Sequence, residues 1–598
     1  MARNGVRVSA FACAILAAVL VAGCGGGGGA APTVLSSNAT GDRLYPTTPI
    51  SVTFSTAMDE ASVEEAFEIT GSGPVEGAFA WTEATVTFTP SALWKTHHPY
   101  TLTIGTGAKD AGGSAIAEAY TQSFRTNINM HDVNADGIDD LLAGAPENDE
   151  SGSKSGMAYL FLGRESWANI DLATQTADAQ YNIEGGADAM FGYFASIIGD
   201  VNGDGYADMA VSAPPLDLDG TDRGAVIIIY GSDSPTSRTF RQTDTDVDVL
   251  AGAVDDTELG AGVYPAGDVN GDGLADFFVG GRFPPADFKF WLVLGKTTAY
   301  GFMQPITSVA AATYIVSGNF GPGVQMFDSC DVNGEVLDDF LFGAPSTAGG
   351  GIDRGMAYLV VGSENPSDID LRTDPATATF TGGADNDRLA FNFVPGCDDI
   401  NADGYDDLLM CAPTAAGTKG ACYLVLGSAS PASLNFGTDS ASATFTGDAA
   451  AAAMGFGLST PGDINDDGYP DMIFGAPMKN VGGAANTGEA WLFLGSASPE
   501  SIDLSAGGAA DATYIGQRPP VGDATGFGIS RPFGDINGDG IADMVFNSIQ
   551  GPDGTARGVI QIVFGSATPA SVDFDTQEGD AAITGHADGD VLLLYPML

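Results

Sequence analysis

The sequence has few basic residues and few histidines. Its 598 residues include 22 lysines and arginines against 77 aspartates and glutamates, which gives a formal net charge of -55 at pH 7, and only four histidines. Such a surface repels the phosphates of nucleic acids and of anionic lipids, so we expect no nucleic-acid partner. The same acidity also suits a well-solvated surface and by itself implies no partner.

Familiar catalytic motifs are missing as well. The sequence contains no G-x-S-x-G nucleophile elbow and no H-E-x-x-H zinc motif, and His97, His98, His131 and His586 are not paired at metal-ligand spacing. We therefore expect that the protein is not an enzyme. Paired carboxylates of the glycosidase type remain open among the many acidic residues.

Long amphipathic helices are absent from the pattern after residue 23. The 83 glycines and the abundance of small and β-branched residues instead indicate many short strands joined by tight turns. The chain is too long for one ordinary core, so a repeat array with an added domain is expected. The predicted fold class is all-β.

The N-terminus has the features of an export signal. Residues 1–23 combine two arginines, an apolar run and an end of small residues, which is typical of a signal peptide that is removed. The sequence Val21-Ala22-Gly23-Cys24 resembles the bacterial lipobox, and that resemblance implies a lipid anchor on Cys24. Gly25 follows where an inner-membrane retention signal would have aspartate, which favours the outer membrane or cell surface. Residues 24–31 would form the lipidated cysteine and a glycine-rich tether.

Residues 32–128 alternate apolar and polar residues over several short stretches. "ISVTFS", "FEIT", "TVTFTP" and "YTLTIG" have the period of half-buried antiparallel strands, so we predict a small β-sandwich. The segment resembles the bacterial Ig-like domain found in surface-layer and other exported proteins.

The most specific pattern is an acidic nine-residue segment that occurs seven times. Its first copy, residues 132–140, reads D-V-N-A-D-G-I-D-D. Oxygen-bearing side chains at positions 1, 3, 5 and 9, a glycine at position 6 and the carbonyl of position 7 have the ligand spacing of an EF-hand loop. Oxygen donors without histidine or cysteine favour Ca²⁺ over transition metals, and Mg²⁺ fits them less well. For any single copy, an Asx-turn that binds no metal is the alternative.

We predict up to seven calcium ions, one in each copy. The predicted ligands are the residues at positions 1, 3, 5, 7 and 9, with position 7 acting through its carbonyl: Asp132, Asn134, Asp136, Ile138, Asp140; Asp200, Asn202, Asp204, Tyr206, Asp208; Asp268, Asn270, Asp272, Leu274, Asp276; Asp331, Asn333, Glu335, Leu337, Asp339; Asp399, Asn401, Asp403, Tyr405, Asp407; Asp463, Asn465, Asp467, Tyr469, Asp471; and Asp535, Asn537, Asp539, Ile541, Asp543.

The fourth copy leaves calcium binding open. Glu335 and Val336 replace the usual Asp-Gly pair, and Val336 would have to adopt a turn that glycine takes at little cost. In all copies the EF-hand glutamate at position 12 is missing. Ala143 and Phe474, for example, stand there inside runs that are typical of strands, so we expect the loops to connect strands of β-hairpins.

The loops belong to a longer repeat. They start at residues 132, 200, 268, 331, 399, 463 and 535, and each unit contains about four strand-like segments. Four short strands at this period predict a propeller blade rather than a solenoid coil. Residues 129–598 are therefore predicted to form a seven-bladed β-propeller.

Two short motifs flank the loops. "FG" precedes them at Phe191-Gly192, Phe456-Gly457 and Phe527-Gly528, and "GAP" follows them at Gly144, Gly343 and Gly475. With these motifs the region resembles the FG-GAP repeats from which integrin α-subunit propellers are built. The resemblance implies a binding or adhesion role.

The last residues predict how the ring closes. "TGHADGDVLLLYPML" at 584–598 aligns with the segment before the fifth loop and ends where another loop would begin, whereas the first unit has no strand before its loop. We predict that the C-terminal strand completes the first blade, which removes an exposed edge.

Four cysteines lie beyond the signal region and Cys24. Cys411 and Cys422 fall on consecutive predicted strands of one unit, so a cross-strand disulfide is expected in an exported protein. Buried free thiols are the alternative. The other two are Cys330 and Cys397.

The sequence thus favours a lipid-anchored, calcium-binding surface propeller that binds an unidentified protein or glycan, or serves as a scaffold. Three carboxylates in each loop repel one another until calcium neutralises them, so the first role of the metal is structural. A carbohydrate- or lipid-active enzyme on a propeller scaffold and a purely structural envelope component are the alternatives.

Overall fold

The computed structural model of the chain describes residues 31–37, 39, 49–71, 74–91, 99–125, 130–184, 186–216, 222–241, 243–283, 287–316, 325–326, 330–335, 337–346, 352–391, 396–449, 452–484, 487–516, 527–529, 534–548, 556–577, 579–587 and 589–594. The predicted signal peptide, Cys24, His97 and His98 lie outside these residues. Strands dominate, which confirms the all-β class. The described helices are short: α1 (Glu60–Ala66), α2 (Ile306–Val309), α3 (Ala415–Thr418) and a 3-10 helix (Leu504–Ala506). None of them has the length and apolarity needed to cross a membrane.

The N-terminal part is the expected sandwich of two antiparallel sheets. One sheet has the order β1-β2-β5-β4 and the other β3-β6-β7. In β2 every second residue is buried, with Ile50 and Val52 fully covered, as the alternating sequence predicts. The strands are β1 (Val34–Ser37), β2 (Ile50–Phe54), β3 (Phe67–Thr70), β4 (Gly77–Thr82), β5 (Thr85–Pro90), β6 (Pro99–Ile104) and β7 (Tyr120–Arg125).

The remaining strands all belong to the repeat region. They are β8 (Leu141–Ala145), β9 (Met157–Phe161), β10 (Ile170–Asp171), β11 (Ala179–Ile183), β12 (Ala195–Gly199), β13 (Asp208–Ala213), β14 (Ala225–Ile229), β15 (Arg238–Phe240), β16 (Asp248–Ala251), β17 (Gly262–Gly267), β18 (Asp276–Phe283), β19 (Asp287–Val293), β20 (Gln304–Pro305), β21 (Ala312–Val316), β22 (Gln325–Met326), β23 (Phe340–Ala344), β24 (Met356–Val360), β25 (Ile369–Asp370), β26 (Ala378–Thr381), β27 (Gly396–Asp398), β28 (Asp407–Ala412), β29 (Ala421–Val425), β30 (Leu434–Asn435), β31 (Ala443–Thr446), β32 (Gly457–Gly462), β33 (Asp471–Ala476), β34 (Glu489–Phe493), β35 (Ile502–Asp503), β36 (Ala512–Ile515), β37 (Phe527–Ile529), β38 (Met544–Ser548), β39 (Val559–Val563), β40 (Val572–Asp573) and β41 (Ala581–Thr584).

These strands form seven propeller-type sheets, which we number by the acidic loop that belongs to each. They are sheet 1 (β8-β9-β11-β15), sheet 2 (β12-β13-β14-β16-β20), sheet 3 (β17-β18-β19-β21-β25), sheet 4 (β22-β23-β24-β26-β30), sheet 5 (β27-β28-β29-β31-β35), sheet 6 (β32-β33-β34-β36-β40) and sheet 7 (β37-β38-β39-β41-β10).

Each sheet ends in a short outer strand that the sequence analysis did not anticipate. The other strands pair antiparallel, but the outer one runs parallel to its neighbour and comes from the following unit, as β15 does beside β11. In sheet 7 this strand is β10, which comes from the first unit. Most of these strands have two residues, which is too short for a period to be visible in the sequence.

The FG and GAP glycines are explained by a close backbone approach. A Cβ on Gly144, in the GAP of the first unit, would lie 2.0 Å from the carbonyl oxygen of Gly192 in the next FG motif. A Cβ on Gly192, whose φ is +85°, would lie 2.3 Å from the carbonyl oxygen of Met157. Neighbouring sheets pack this closely only because neither residue has a side chain.

Apolar clusters fill the spaces between adjacent sheets. The cluster between sheets 7 and 1 includes Tyr159, Ile560, Leu592 and Leu594, so residues from both ends of the repeat region share one core. Leu593 and Gly144 exchange two backbone hydrogen bonds of 2.8 Å. The described residues 591–594 contribute this one bridge and no named strand. The seven sheets and this pairing agree with a ring of seven blades that the C-terminal strand closes, which stays a prediction.

Candidate metal centre

Six of the seven acidic loops connect the first two strands of their sheets, and loop 1 leads into β8. All predicted ligand residues are described. Val336, at position 6 of the fourth loop, lies outside the described residues. We take loop 1 as the example because its hydrogen bonds recur in the others.

Position 1 of the loop organises the turn. The Asp132 carboxylate accepts hydrogen bonds from the backbone N–H of Asp136 at 3.1 Å and of Gly137 at 2.8 Å. Gly137 has a φ of +88°, in the left-handed region that favours glycine. The glycine predicted from the sequence is therefore required by the turn itself.

Positions 3 and 5 face each other across the loop. The Asn134 side-chain amide donates to the Asp136 carboxylate at 2.9 Å, and the other oxygen of Asp136 accepts the N–H of Ile138 at 3.0 Å. An equivalent amide–carboxylate bond joins positions 3 and 5 in loops 2 to 6. In loop 7 the amide of Asn537 is 3.3 Å from Asp543 instead.

Position 9 is buried in every loop. Asp140 is fully buried and accepts the N–H of Val133 and of Gly163, both at 2.7 Å. Burial is the main cause that raises its pKa to about 8, and the nearby carboxylates of Asp132 and Asp136 raise it further. The position-9 pKa is also raised to about 8 for Asp208 and Asp339, to about 7 for Asp407, Asp471 and Asp543, and well above its usual value for Asp276.

Neighbouring loops are bonded to one another. The N–H at position 8 donates to the carbonyl at position 1 of the preceding loop, as Ala207 does to Asp132 at 3.0 Å. The first and last loops are joined in the same way, since Asp139 donates to the Asp535 carbonyl at 3.0 Å. In loop 6 position 8 is Pro470, which has no N–H to give.

Two kinds of side chain contribute to these contacts and were missed by the sequence analysis. Aspartates at position 8 of three loops accept the position-1 N–H of the preceding loop, as Asp139 does from Asp535 at 2.8 Å. Position-7 side chains cover position 4 of the preceding loop: the Tyr405 ring lies 2.7 Å from where a Cβ on Gly334 would be. A spacing pattern within one loop cannot reveal contacts to the next.

The loops supply the donor chemistry of calcium. Each offers carboxylate, amide and carbonyl oxygens only, and its buried position-9 carboxylate is a charge that burial destabilises, so a cation there is favourable. On these grounds the residues fit Ca²⁺, which would neutralise the loop when bound. In the described part of the chain, no three His, Cys, Asp or Glu side chains are close enough to form a metal-binding group.

The structure contains two disulfides. Cys411 and Cys422 are directly opposite on β28 and β29 and are bonded, which is the expected cross-strand pairing. Cys330 and Cys397 form a second bond across 67 residues, with Cα atoms 6.0 Å apart. The sequence did not predict this pair because it joins two different repeat units.

Comparison with family models covers both regions. Residues 29–126 match the bacterial Ig-like domain, and residues 191–229 and 457–493 match the FG-GAP repeat. The chain carries FG-GAP repeats and a bacterial Ig-like domain. The two matched FG-GAP segments contain the second and the sixth acidic loops.

Integrin α chains are similar to parts of the FG-GAP region. Integrin alpha-6 from Homo sapiens is 35% identical over 117 residues, which are 19% of this chain and 9% of that protein. Integrin alpha-PS2 from Drosophila melanogaster is 32% identical over 211 residues, which are 34% of this chain and 14% of that protein. The chain therefore spans only 9% to 14% of the length of these relatives.

Among solved structures, an LD transpeptidase in complex with imipenem is 19% identical and covers 23% of this chain and 58% of its own chain, with a TM-score of 0.13. At that score the likeness carries no argument about fold or function.

Proposed function

We propose that the chain is an exported, lipid-anchored surface protein whose FG-GAP propeller is stabilised by calcium and binds a protein or a glycan, without a catalytic role. The position-9 aspartates carry the proposal. All seven are 0% or 1% exposed, and in loop 1 the carboxylates of Asp132 and Asp136 lie close enough to raise the pKa of Asp140. A bound cation would compensate the charge of a carboxylate buried in this way.

Calcium would stabilise the folded propeller substantially. A ligand that binds only the folded state contributes about 2.7 kcal/mol per site when its concentration is a hundredfold above Kd. Extracellular calcium modules bind at roughly 10⁻⁴ to 10⁻³ M, so millimolar calcium outside the cell would be enough to act.

The binding surface is proposed on the face opposite the acidic loops. Because consecutive strands are antiparallel, the loops that follow the second and fourth strands of each sheet lie at the other end. Three of the five exposed large apolar side chains in the described residues are in these loops: Val254 at 43%, Ile352 at 65% and Met478 at 51% exposed. Sheets 2, 4 and 6 thus each present one exposed apolar side chain at this end, where we propose that a partner is contacted.

The anchor and the adhesion-type role rest on sequence. The lipobox-like residues before Cys24 support acylation, and the glycine-rich segment that follows supports a flexible tether. Similarity to integrin α chains supports binding rather than chemistry as the task of the propeller.

Partner capture with and without calcium tests this proposal. The mature protein, with Cys24→Ser to keep it in solution, would be immobilised and exposed to surface-protein extract and to a glycan array in millimolar calcium or in EDTA. We expect one stoichiometric protein or one glycan class, retained in calcium and lost in EDTA.

A matched pair of variants locates the surface. The triple variant V254D/I352D/M478D should lose the partner, whereas Leu35→Asp, at an equally exposed apolar residue of the Ig-like domain, should keep it. Retention by the triple variant would exclude this face, and turnover of a glycan or lipid panel would favour an enzyme instead.

A further inference from the structure

The fourth acidic loop has no glycine at the position where the other six make a left-handed turn. Their position-6 glycines have φ between +88° and +94°, as in Gly137 and Gly540. The sequence has Val336 at this position. A β-branched residue in that region is a rare and strained exception, so valine does not substitute for glycine here at small cost.

Position 5 of the fourth loop is altered as well. Glu335 has one methylene more than the aspartate of the other six loops. Its N–H keeps the bonds to the Asp331 carboxylate and to the Asn333 side-chain oxygen, both at 2.9 Å, and its carboxylate accepts the Asn333 amide at 2.9 Å. With Val336, two positions of the ligand pattern therefore differ from the other loops.

The second disulfide lies at this irregular loop. Cys330 immediately precedes Asp331, the first position of the fourth loop, and is 1% exposed. Cys397 is two residues before Asp399, the first position of the fifth loop. In the other units the residue before position 1 is not cysteine; it is His131, Gly199, Gly267, Asp398, Gly462 or Gly534.

The fourth loop keeps the backbone contacts that other loops also make at their base and to the next loop. Cys330 exchanges two backbone hydrogen bonds with Asp339, of 3.1 and 2.6 Å, which close the loop at its base. The Asp406 carboxylate from the fifth loop accepts the N–H of Asp331 at 2.9 Å, and the Asp406 N–H donates to the Asp331 carbonyl at 3.1 Å. Ser428 donates to the carbonyl of Val332 at 3.0 Å.

We propose that the fourth loop is not a calcium site and that the Cys330–Cys397 disulfide joins sheets 4 and 5 in place of the ion. This inference rests on the proposed calcium function of the other loops. A covalent link across 67 residues restricts the unfolded chain, and an exported protein is in a compartment where the bond persists. The protein then takes six calcium ions, and the junction of sheets 4 and 5 depends on the disulfide rather than on calcium.

Counting bound calcium by native mass spectrometry of the full mature chain tests the first half. We expect six ions for the wild type, still six for Asp331→Asn, five for Asp463→Asn in the regular sixth loop, and seven for the restored loop E335D/V336G. A wild-type count of seven that falls to six in Asp331→Asn would overturn this inference alone. A count of zero would instead overturn the calcium function itself, and with it this inference.

Amide hydrogen exchange in saturating calcium tests the second half. In the variant C330S/C397S we expect the N–H groups of Asp406 and Ser428, which bond across the junction, to lose at least tenfold in protection. The control C411S/C422S removes a disulfide within sheet 5 that joins no loops, and should leave those two amides protected. Unchanged protection in C330S/C397S would show that the disulfide does not hold the junction.

Discussion

Deleting residues 591–598 should destabilise the whole FG-GAP region, although the segment is at a terminus and contains no predicted calcium ligand. Its described part places Leu592 at 0%, Leu593 at 7% and Leu594 at 2% exposure. Leu592 and Leu594 pack in the core that sheets 7 and 1 share, and Leu593 is bonded to Gly144 in both directions.

The magnitude follows from what is removed. Burying a leucine side chain stabilises by about 1.5 to 3 kcal/mol, and each backbone hydrogen bond contributes about 1 kcal/mol net. Loss of three leucines and two bonds therefore costs about 6.5 to 11 kcal/mol, which is a large part of the roughly 5 to 15 kcal/mol that stabilises a typical domain. Because the entropy of unfolding grows with chain length, a domain of this size shifts its melting point by about 1 to 2 °C per kcal/mol, and we expect a fall of roughly 7 to 20 °C.

The assay is thermal unfolding in saturating calcium, which removes any difference in metal loading. Deletion of residues 595–598 alone serves as the control, because it shortens the chain but keeps the three leucines and the bridge to Gly144. Leu592→Ala should give an intermediate loss of about 2 to 5 kcal/mol. If the full deletion melts with the wild type, the C-terminal segment does not complete the first blade and the reasoning is refuted.

Three further predictions concern the loops and the anchor. Burial raises the pKa of Asp140 to about 8, so without calcium the stability that its protonated form contributes is complete below pH 4 and is lost as the pH rises through 8. The melting midpoint in EDTA should therefore fall between pH 5 and pH 8, and calcium should remove that fall. A midpoint in EDTA that rises over this range would contradict the prediction. Gly468→Val should bind one calcium ion fewer in native mass spectrometry and should lose about 1 to 3 kcal/mol of stability in thermal melting. The cause is backbone strain at a φ of +91°, since an added Cβ would meet nothing within 4 Å. An unchanged calcium count would show that the turn tolerates valine. Mass spectrometry of the N-terminal peptide should find Cys24 acylated, and an unmodified cysteine would exclude the anchor.

The strands and turns within each unit could be predicted from the sequence because the same pattern recurs in every repeat. Alternation along β2 indicated the sandwich, and the acidic pattern with its glycine located the turns between first and second strands. The place of Asp140 at the end of its loop followed from the same spacing, whereas its burial was seen only in the structure. These features depend on residues fewer than ten positions apart, which is the range over which a pattern carries information.

Contacts between units could not be predicted in the same way. The parallel strand β15 has three residues, and its partner β11 is more than fifty residues earlier. The Cys330–Cys397 bond and the position-8 aspartates likewise join groups that only the packing of adjacent sheets brings together. The spacing of residues in the sequence identifies the cysteines and the loop residues, but it does not show which residue of another unit each of them contacts.

The contacts between loops also bear on how calcium would act. A loop that closes around an ion fixes its own position-1 and position-2 carbonyls, and these accept hydrogen bonds from the next unit, as Val133 does from Ser232 at 3.0 Å. A loop that is ordered by its ion therefore favours the ordered conformation of the next loop. A loop that loses its ion would destabilise the neighbouring loops before the more distant ones. At loop 6 the contact through Pro470 is missing, but Ser496 still donates to the carbonyl of Ile400 at 3.2 Å. At the fourth loop the substituted turn would be the weakest point of this chain of contacts, and it is there that the structure has a covalent bond between two loops.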